Sequence, residues 1–308
     1  MTKKAAIFPG QGSQTKGMGK DFFEKFDIAK KMFDSAQNAS IYKKDYKKLC
    51  FEGTDEELQD TINTQPAIYI VSSVIFEVLK SNGFKPDIAA GHSLGEYGAL
   101  YSAGVFSFED GLVLLENRAK FMDECAKKSS GTMAAIMGVP EEKLDEYMKS
   151  SGGIIGPAGY NSPGQIVISG ETQSVKKVIE TVKASGTGKC IELKVSGAWH
   201  SGLMKEAMDK LAGELDKVKF NEPKIPVIGN LTASEHKKDS DSIKTALVKQ
   251  LCSPVKWIQS VETMIDKYGV SEFIETGSGK VLTGLIKRIN SGVKLTNVNS
   301  VAQYLEFC

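Results

Sequence analysis

The run Gly91-His92-Ser93-Leu94-Gly95 constrains this chain more than any other feature. It lies between a short apolar stretch, Asp87-Ile88-Ala89-Ala90, and a helix-forming one from about Leu94 to Ala103, closed by Gly104 at the position favoured for a C-terminal cap. A serine with glycines two residues to either side, on a turn from strand to helix, matches the nucleophile elbow. The turn is strained and exposes the hydroxyl, while the glycines let the backbone bend and the helix pack closely. That helix aims backbone N–H groups and partial positive charge at the same point, which suits a developing oxyanion. The alternative is an ordinary tight turn, but the context the motif requires, apolar strand before and helix after, is present.

The rest of the chain alternates short apolar runs with longer helical patterns, the signature of an α/β fold with a mainly parallel sheet. Ala5-Ala6-Ile7-Phe8 reads as a first strand stopped by Pro9-Gly10. Residues 21–49 read as helical and charged, 67–79 as a buried helix, and 108–125 as another helix. Between Ser129 and Val195 the texture changes. Apolar runs at 133–137, 165–169 and 190–195 alternate with helical stretches at 141–148 and 174–184, and a βαββαβ order fits a small ferredoxin-like unit. The expected organisation is a core of residues 1–127 and 196–308 with an α+β subdomain inserted at 128–195. The core resumes with a helix near 203–215 and strands at 226–229 and 272–275.

Lys and Arg number 39 against 38 Asp and Glu, so the net charge is +1, which argues against nucleic acid or an anionic membrane as main partner. The first apolar run is too short for a signal peptide, and no apolar stretch reads as long enough to span a bilayer. The five cysteines are scattered without a C-x-x-C pair, and read as reduced thiols rather than as a disulfide framework or zinc site. A cytoplasmic protein is expected.

A nucleophilic serine needs a base, and the chain holds three histidines. His236 lies in a polar, surface-like stretch, Ser234-Glu235-His236-Lys237-Lys238-Asp239, and His92 adjoins the nucleophile, where it reads as shaping the site with its ring turned away from Ser93. His200 sits in a small-residue loop, Ser196-Gly197-Ala198-Trp199-His200-Ser201, between a strand and a helix, where catalytic loops are found; a helix N-terminal role is its plainer alternative. No acidic residue announces itself as a third member, and a backbone carbonyl could orient the histidine instead. Arg118 shares a helical stripe with Leu114, Leu115, Phe121, Met122 and Cys125. An arginine facing the core needs an anion: a buried Asp or Glu of the protein, or a carboxylate on the substrate, which its planar fork suits. The Gly10-Gln11-Gly12 loop follows the first strand, and the backbone N–H of Gln11 is read as an oxyanion donor.

Five motifs in order carry a resemblance: Phe8-Pro9-Gly10-Gln11-Gly12-Ser13-Gln14, Gly91-His92-Ser93-Leu94-Gly95-Glu96-Tyr97, Arg118, Asn161-Ser162-Pro163-Gly164-Gln165 and the loop ending in His200. Over essentially its whole length the chain resembles malonyl-CoA:acyl-carrier-protein transacylases. The resemblance implies a hydrolase-like α/β core with a ferredoxin-like insert. It also implies ping-pong transfer of malonyl from coenzyme A to Ser93 and on to the phosphopantetheine thiol of acyl carrier protein, with a coenzyme A thioester as substrate and no bound cofactor or metal. Ser93 would be nucleophile, His200 base then acid, and Arg118 the carboxylate holder, with Gln11 and Leu94 N–H groups as the oxyanion hole. Gln250 would orient the histidine through its carbonyl, Gln65 would line the pocket, and Lys189, Lys287 and Arg288 would touch the acidic carrier protein. A monomer is expected. Trp199 departs from the phenylalanine usual in malonyl-selective relatives, keeping aromatic bulk against methyl-branched acyl groups, and Gly277-Ser278-Gly279 departs from the usual Gly-Pro-Gly. A thioesterase or esterase of the same fold, a polyketide-pathway acyltransferase, and a non-catalytic module that keeps the fold are the competing readings; a buried cation favours a dicarboxylic acyl group over a general ester.

Overall fold

The computed structural model describes residues 2–308. In chain order the elements begin with β1 (Lys3–Phe8), α1 (Lys20–Lys25), α2 (Asp27–Ala39), α3 (Tyr46–Glu52), α4 (Asp55–Gln59), α5 (Thr61–Ser81), β2 (Ile88–Gly91), α6 (Gly95–Ser102) and α7 (Phe108–Lys128). There follow β3 (Gly131–Met137), α8 (Glu141–Ser151), β4 (Ile155–Ser162), β5 (Gln165–Glu171), α9 (Thr172–Ser185) and β6 (Lys189–Glu192). After a 3-10 turn at Gly202–Met204 come α10 (Lys205–Leu215), β7 (Val227–Ile228), α11 (Ser240–Gln250), α12 (Trp257–Asp266), β8 (Val270–Thr276), α13 (Val281–Ile289), β9 (Lys294–Val298) and α14 (Val301–Phe307).

β7, β2, β1, β8 and β9, in that spatial order, form a wholly parallel sheet. Its central strands are apolar on both faces, as a sheet covered by helices on each side requires. Ala6, Phe8 and Ala89 face the large core under α5 and α7, while Ala5, Ile7 and Ile88 face Trp257, Val261 and Leu282 on α12 and α13. The second sheet, β4-β5-β3-β6, is antiparallel, and with α8 and α9 on one face it encloses its own small core around Ile136, Ile168 and Val178. Read as strands one to four of the unit, this is the 4-1-3-2 order of a ferredoxin-like fold. Its strand β4 lacks apolar alternation in the sequence, where Gly156, Pro157 and Gly159 interrupt it, and its pairing is bulged at those positions. Strand β4 is tied to the segment that leads into α12 by backbone bonds from Tyr160 N–H to Val255 C=O and from Val255 N–H to Ala158 C=O, each 2.9 Å.

Residues 21–49 form three helices rather than one. Phe26 is extended, which turns its ring onto Phe22 and Tyr304, and residues 40–45 leave the helix because the buried Glu116 carboxylate takes the Ser40 hydroxyl and the Ile41 N–H. α5 runs through Pro66, whose missing N–H leaves the Ile62 carbonyl free; Lys44 Nζ donates to it at 2.9 Å. Contrary to the reading of the apolar runs, α5 is long and apolar enough to cross a membrane, but 83% of its most apolar window is buried, packed chiefly against α7 and α2.

The elbow is built where these parts meet. A Cβ added at Gly95 would lie 2.1 Å from the Phe8 carbonyl oxygen, and one at Gly91 1.9 Å from that of Gly95. Backbone atoms cannot yield as side chains do. Gly95→Ala is expected to cost about 3 kcal/mol, the upper end of overpacking penalties, read as a large fall in the thermal midpoint; a wild-type melting curve would show that the strand and elbow can separate freely.

Candidate active site

Ser93 sits between β2 and α6 with φ 53°, a left-handed conformation that costs a non-glycine residue free energy. The turn is clamped by Asn230, whose Oδ1 accepts from Ser93 N–H at 2.7 Å and whose Nδ2 donates to the Gly91 carbonyl at 2.6 Å. Nothing in the sequence around Asn230 announced this, since the contact spans more than a hundred residues.

His200 is also left-handed, at φ 61°, which brings its ring over the elbow. Its Nε2 lies 2.8 Å from Ser93 Oγ, while Nδ1 lies 2.9 Å from the Gln250 carbonyl oxygen and 3.2 Å from that of Ser253. Two carbonyls can only accept, so the network assigns the ring proton to Nδ1 and leaves Nε2 to take the serine proton. Burial, aided by the nearby Arg118 cation, pushes the His200 pKa down to about 3, against the opposing pull of the two carbonyls.

Arg118 is buried on α7 with 1% exposure, and among the described residues no carboxylate lies within ion-pair distance of it. Its Nη1 donates to Gln65 Oε1, and its Nη2 donates to Gln250 Oε1 at 3.0 Å and to Ser93 Oγ at 3.2 Å. Nε has no partner. Burial lowers its pKa, opposed by Tyr97 and Glu96, yet guanidinium stays charged at any ordinary pH. The structural salt bridge, the plainer alternative for this residue, is therefore absent among the described residues.

These groups open into a cavity of about 150 Å³ between the two sheets. Gln11, Gln65, His92, Ser93, Leu94, Arg118, Trp199 and His200 line it, and Met133, Ala158, Asn161 and Val167 supply a wall from the antiparallel sheet. Among the described residues neither the Gln11 nor the Leu94 backbone N–H has an acceptor, so both are free for an oxyanion. The His92 ring bonds away from Ser93, to Asn161 Oδ1 at 2.9 Å. Trp199 is buried with its ring against Gly197, while Gln250 is buried and uses side chain as well as carbonyl. Lys189, on edge strand β6, and Lys287 and Arg288, at the end of α13, are exposed and stand apart from the cavity lining; Arg288 donates to Gln165 Oε1 at 3.0 Å. Ser278 bonds Thr15 Oγ1 at 2.8 Å, a contact proline could not make.

His236 corrects the surface-like expectation. It is buried and lies 2.6 Å from Glu96 Oε1, behind the elbow. Its polar sequence neighbours hid it; the acid it meets is 140 residues away.

A family model described as an acyl transferase domain matches residues 6–294. The malonyl CoA-acyl carrier protein transacylase of Bacillus subtilis (strain 168) is 42% identical over 302 residues, covering 97% of this chain and 94% of that protein. The crystal structure of the malonyl CoA-acyl carrier protein transacylase from Clostridium perfringens is similar at a TM-score of 0.94 and 39% identity, covering 99% of this chain and 96% of that one. A malonyl-transacylase solved in complex with its type II PKS acyl-carrier protein matches at a TM-score of 0.94 and 39% identity, over 99% of this chain and 98% of that one.

The low His200 pKa sets a pH test. Neutral imidazole, the basic form, should persist until pH approaches about 3, not 6.5. The rate at which an uncharged fluorophosphonate labels Ser93 should therefore stay nearly flat from about pH 8 to about pH 5; half-loss near pH 6.5 would overturn the assignment. Because the unfolded chain takes up this proton first, His200 stabilises the fold above pH 6.5 and that contribution is lost as pH falls toward about 3.

Proposed function

The chain belongs to the acyl transferase domain family, and we propose that it moves malonyl from coenzyme A to the phosphopantetheine thiol of acyl carrier protein through an ester on Ser93. The observation that carries this reading is Arg118, a buried guanidinium without a carboxylate of its own, in hydrogen-bond reach of the Ser93 hydroxyl. A dicarboxylic acyl group supplies the missing anion at one end and a thioester at the other.

The free carboxylate of malonyl-CoA takes the place of Gln65 on Arg118, which sets the thioester carbonyl at Ser93. Ser93 Oγ attacks that carbon as His200 Nε2 takes its proton, with the Gln250 carbonyl steadying the imidazolium through Nδ1. The oxyanion meets the N–H groups of Gln11 and Leu94; losing one such donor typically costs about 2.7–4 kcal/mol. Collapse breaks the carbon–sulfur bond, His200 protonates the departing thiolate, and a malonyl ester remains. In the second half, His200 takes the proton of the carrier thiol, sulfur attacks the ester carbon, the carbon–Oγ bond breaks to leave malonyl on the carrier thiol, and His200 returns the proton to Ser93 Oγ. Side chains and backbone supply every step, so the reaction needs no resident cofactor. All the groups come from one chain, so a monomer suffices, and substrates that are soluble thioesters suit the cytoplasm.

We read residues 128–195 as a subdomain inserted into a core of 1–127 and 196–308, its sheet closing the cavity over the core's catalytic groups. Trp199 fills the space beside the acyl chain, where an extra methyl group would have to fit. Gln65 holds Arg118 from the far side, and His92, tied to Asn161, joins elbow and insert.

Intact mass after mixing with malonyl-CoA or acetyl-CoA tests this. A malonyl adduct that disappears in Ser93→Ala, with little acetyl adduct, is expected; free malonate without adduct or transfer would indicate a hydrolase. Arg118→Ala should lose about 2–5 kcal/mol in malonyl kcat/KM, the cost of truncating a buried charge pair, with acetyl transfer preserved or improved. Equal loss of both would make the arginine structural.

Lys189, Lys287 and Arg288 are proposed to meet the acidic carrier protein. Reversing the three charges should raise the KM for carrier protein and flatten its salt dependence, while Ser93 acylation by malonyl-CoA stays at the wild-type rate. An unchanged carrier KM would remove these residues from the docking surface.

A further inference from the structure

Behind the elbow lies a second buried charge, which takes no part in the transfer steps. Glu96, on the first turn of α6, is 1% exposed, and no Lys or Arg among the described residues is within ion-pair distance of it. Three donors hold its carboxylate: His236 Nε2 on Oε1 at 2.6 Å, and Asn230 N–H at 3.1 Å and Gln250 Nε2 at 2.7 Å on Oε2. Arg118 presents the converse, a buried cation whose hydrogen-bond partners are all neutral. One side chain touches both. Gln250 donates from Nε2 to Glu96 and to the Ser93 carbonyl (3.0 Å), and accepts at Oε1 from Arg118.

We infer that Glu96 is the remote counter-charge of Arg118, acting through the side-chain amide of Gln250, and so a positioning residue for the carboxylate site. Two buried charges of opposite sign, each costly alone, offset one another across one polarised amide. The spacing has a functional consequence. A carboxylate placed directly on the guanidinium would occupy the fork that the substrate needs, whereas one amide away it compensates the cation and leaves Nη1 with a neutral partner, Gln65, that an entering carboxylate can displace. The amide cannot reverse, because a flipped Gln250 would set its NH2 against the guanidinium and its oxygen against the carboxylate. The same carboxylate holds the backbone of Asn230, the clamp on Ser93, so charge compensation and nucleophile geometry share one anchor.

The role at the carboxylate site rests on the malonyl reading, and the test separates the two. Glu96→Gln keeps the shape and removes the charge: its oxygen can face Asn230 and Gln250, and its NH2 can donate to His236 Nε2 once the imidazole carries its proton on Nδ1. Full-length wild type, E96Q, R118M and the double variant are melted without ligand, and malonate is titrated as protection of Ser93 against a fluorophosphonate. E96Q should lower the thermal midpoint clearly when Arg118 is present and little in the R118M background, since the partner charge is then gone. In E96Q, malonate should protect at a concentration about threefold lower or less, because the anion no longer shares the site with a second negative charge. General damage to the site would move protection the other way. Equal melting losses in both backgrounds, as when His236 alone neutralises Glu96, would overturn the inference, as would an unchanged or higher protecting concentration in E96Q. If R118M does not fold, the malonate titration of E96Q decides alone. Failure of malonate to protect the wild type would sink the malonyl reading, and the melting cycle would still decide Glu96.

Discussion

A serine held at φ 53° relaxes unless its surroundings leave it no other conformation. Here they come from three distant parts of the chain. The Phe8 carbonyl closes on Gly95 from β1, Asn230 brackets the turn through the Gly91 carbonyl and the Ser93 N–H, and Gln250 takes the Ser93 carbonyl. The parallel register of β1 on β2, with Phe8 opposite Gly91, sets the first of these contacts, so the sheet and the nucleophile are one construction. Slipping β1 against β2 by one residue would release the turn and exchange the side chains that face the two cores, Phe8 and Ala6 for Ile7 and Ala5.

His200 Nδ1 meets two carbonyls and, among the described residues, no acid, and the reason lies next door. A carboxylate on His200 Nδ1 would stand close to Arg118, which already helps to hold the imidazole neutral. It would raise the histidine pKa and draw the guanidinium into a pair of its own. Carbonyl oxygens from Gln250 and Ser253 fix the same tautomer with a dipole and leave the cation uncommitted. Serine activation and carboxylate recognition can then share a cavity of about 150 Å³.

What was legible in the sequence is local. The elbow spans five residues, the Arg118 stripe lies on one helix, and the His200 loop joins a strand to a helix, so periodicity and turn chemistry reveal them. The helix at 67–79 was visible from its apolar density, whereas its true start at Thr61 was hidden by Pro66, tolerated because Lys44 reaches the orphaned Ile62 carbonyl. Strand β4 was not locatable, since Gly156, Pro157 and Gly159 erase alternation and its bulged pairing tolerates them. Asn230, the side chain of Gln250 and the Glu96–His236 pair were illegible for a stronger reason: each acts across more than a hundred residues, and no local pattern encodes such a meeting. His236 misled because charged neighbours in sequence are not neighbours of the ring in space.

The cavity walls make discrimination between acyl groups a matter of desolvation more than of fit. The side chains of Met133, Ala158 and Val167 offer no hydrogen bonds, and the polar partners of Arg118 are the two amides, the Ser93 hydroxyl and whatever enters. An acetyl group would leave those amides in place and gain nothing from the guanidinium. A malonyl carboxylate must displace at least one of them, giving up a neutral hydrogen bond for a charge-assisted and potentially bidentate one in a low-dielectric pocket. Gln65 is the partner best suited to yield: its Nε2 is anchored only by Thr61 Oγ1 and the Met122 sulfur, whereas Gln250 is fixed by the elbow and Glu96. On the proposed reading, selection of a carboxylate is an exchange of partners on one cation, with one side of that cation free to open and the other held.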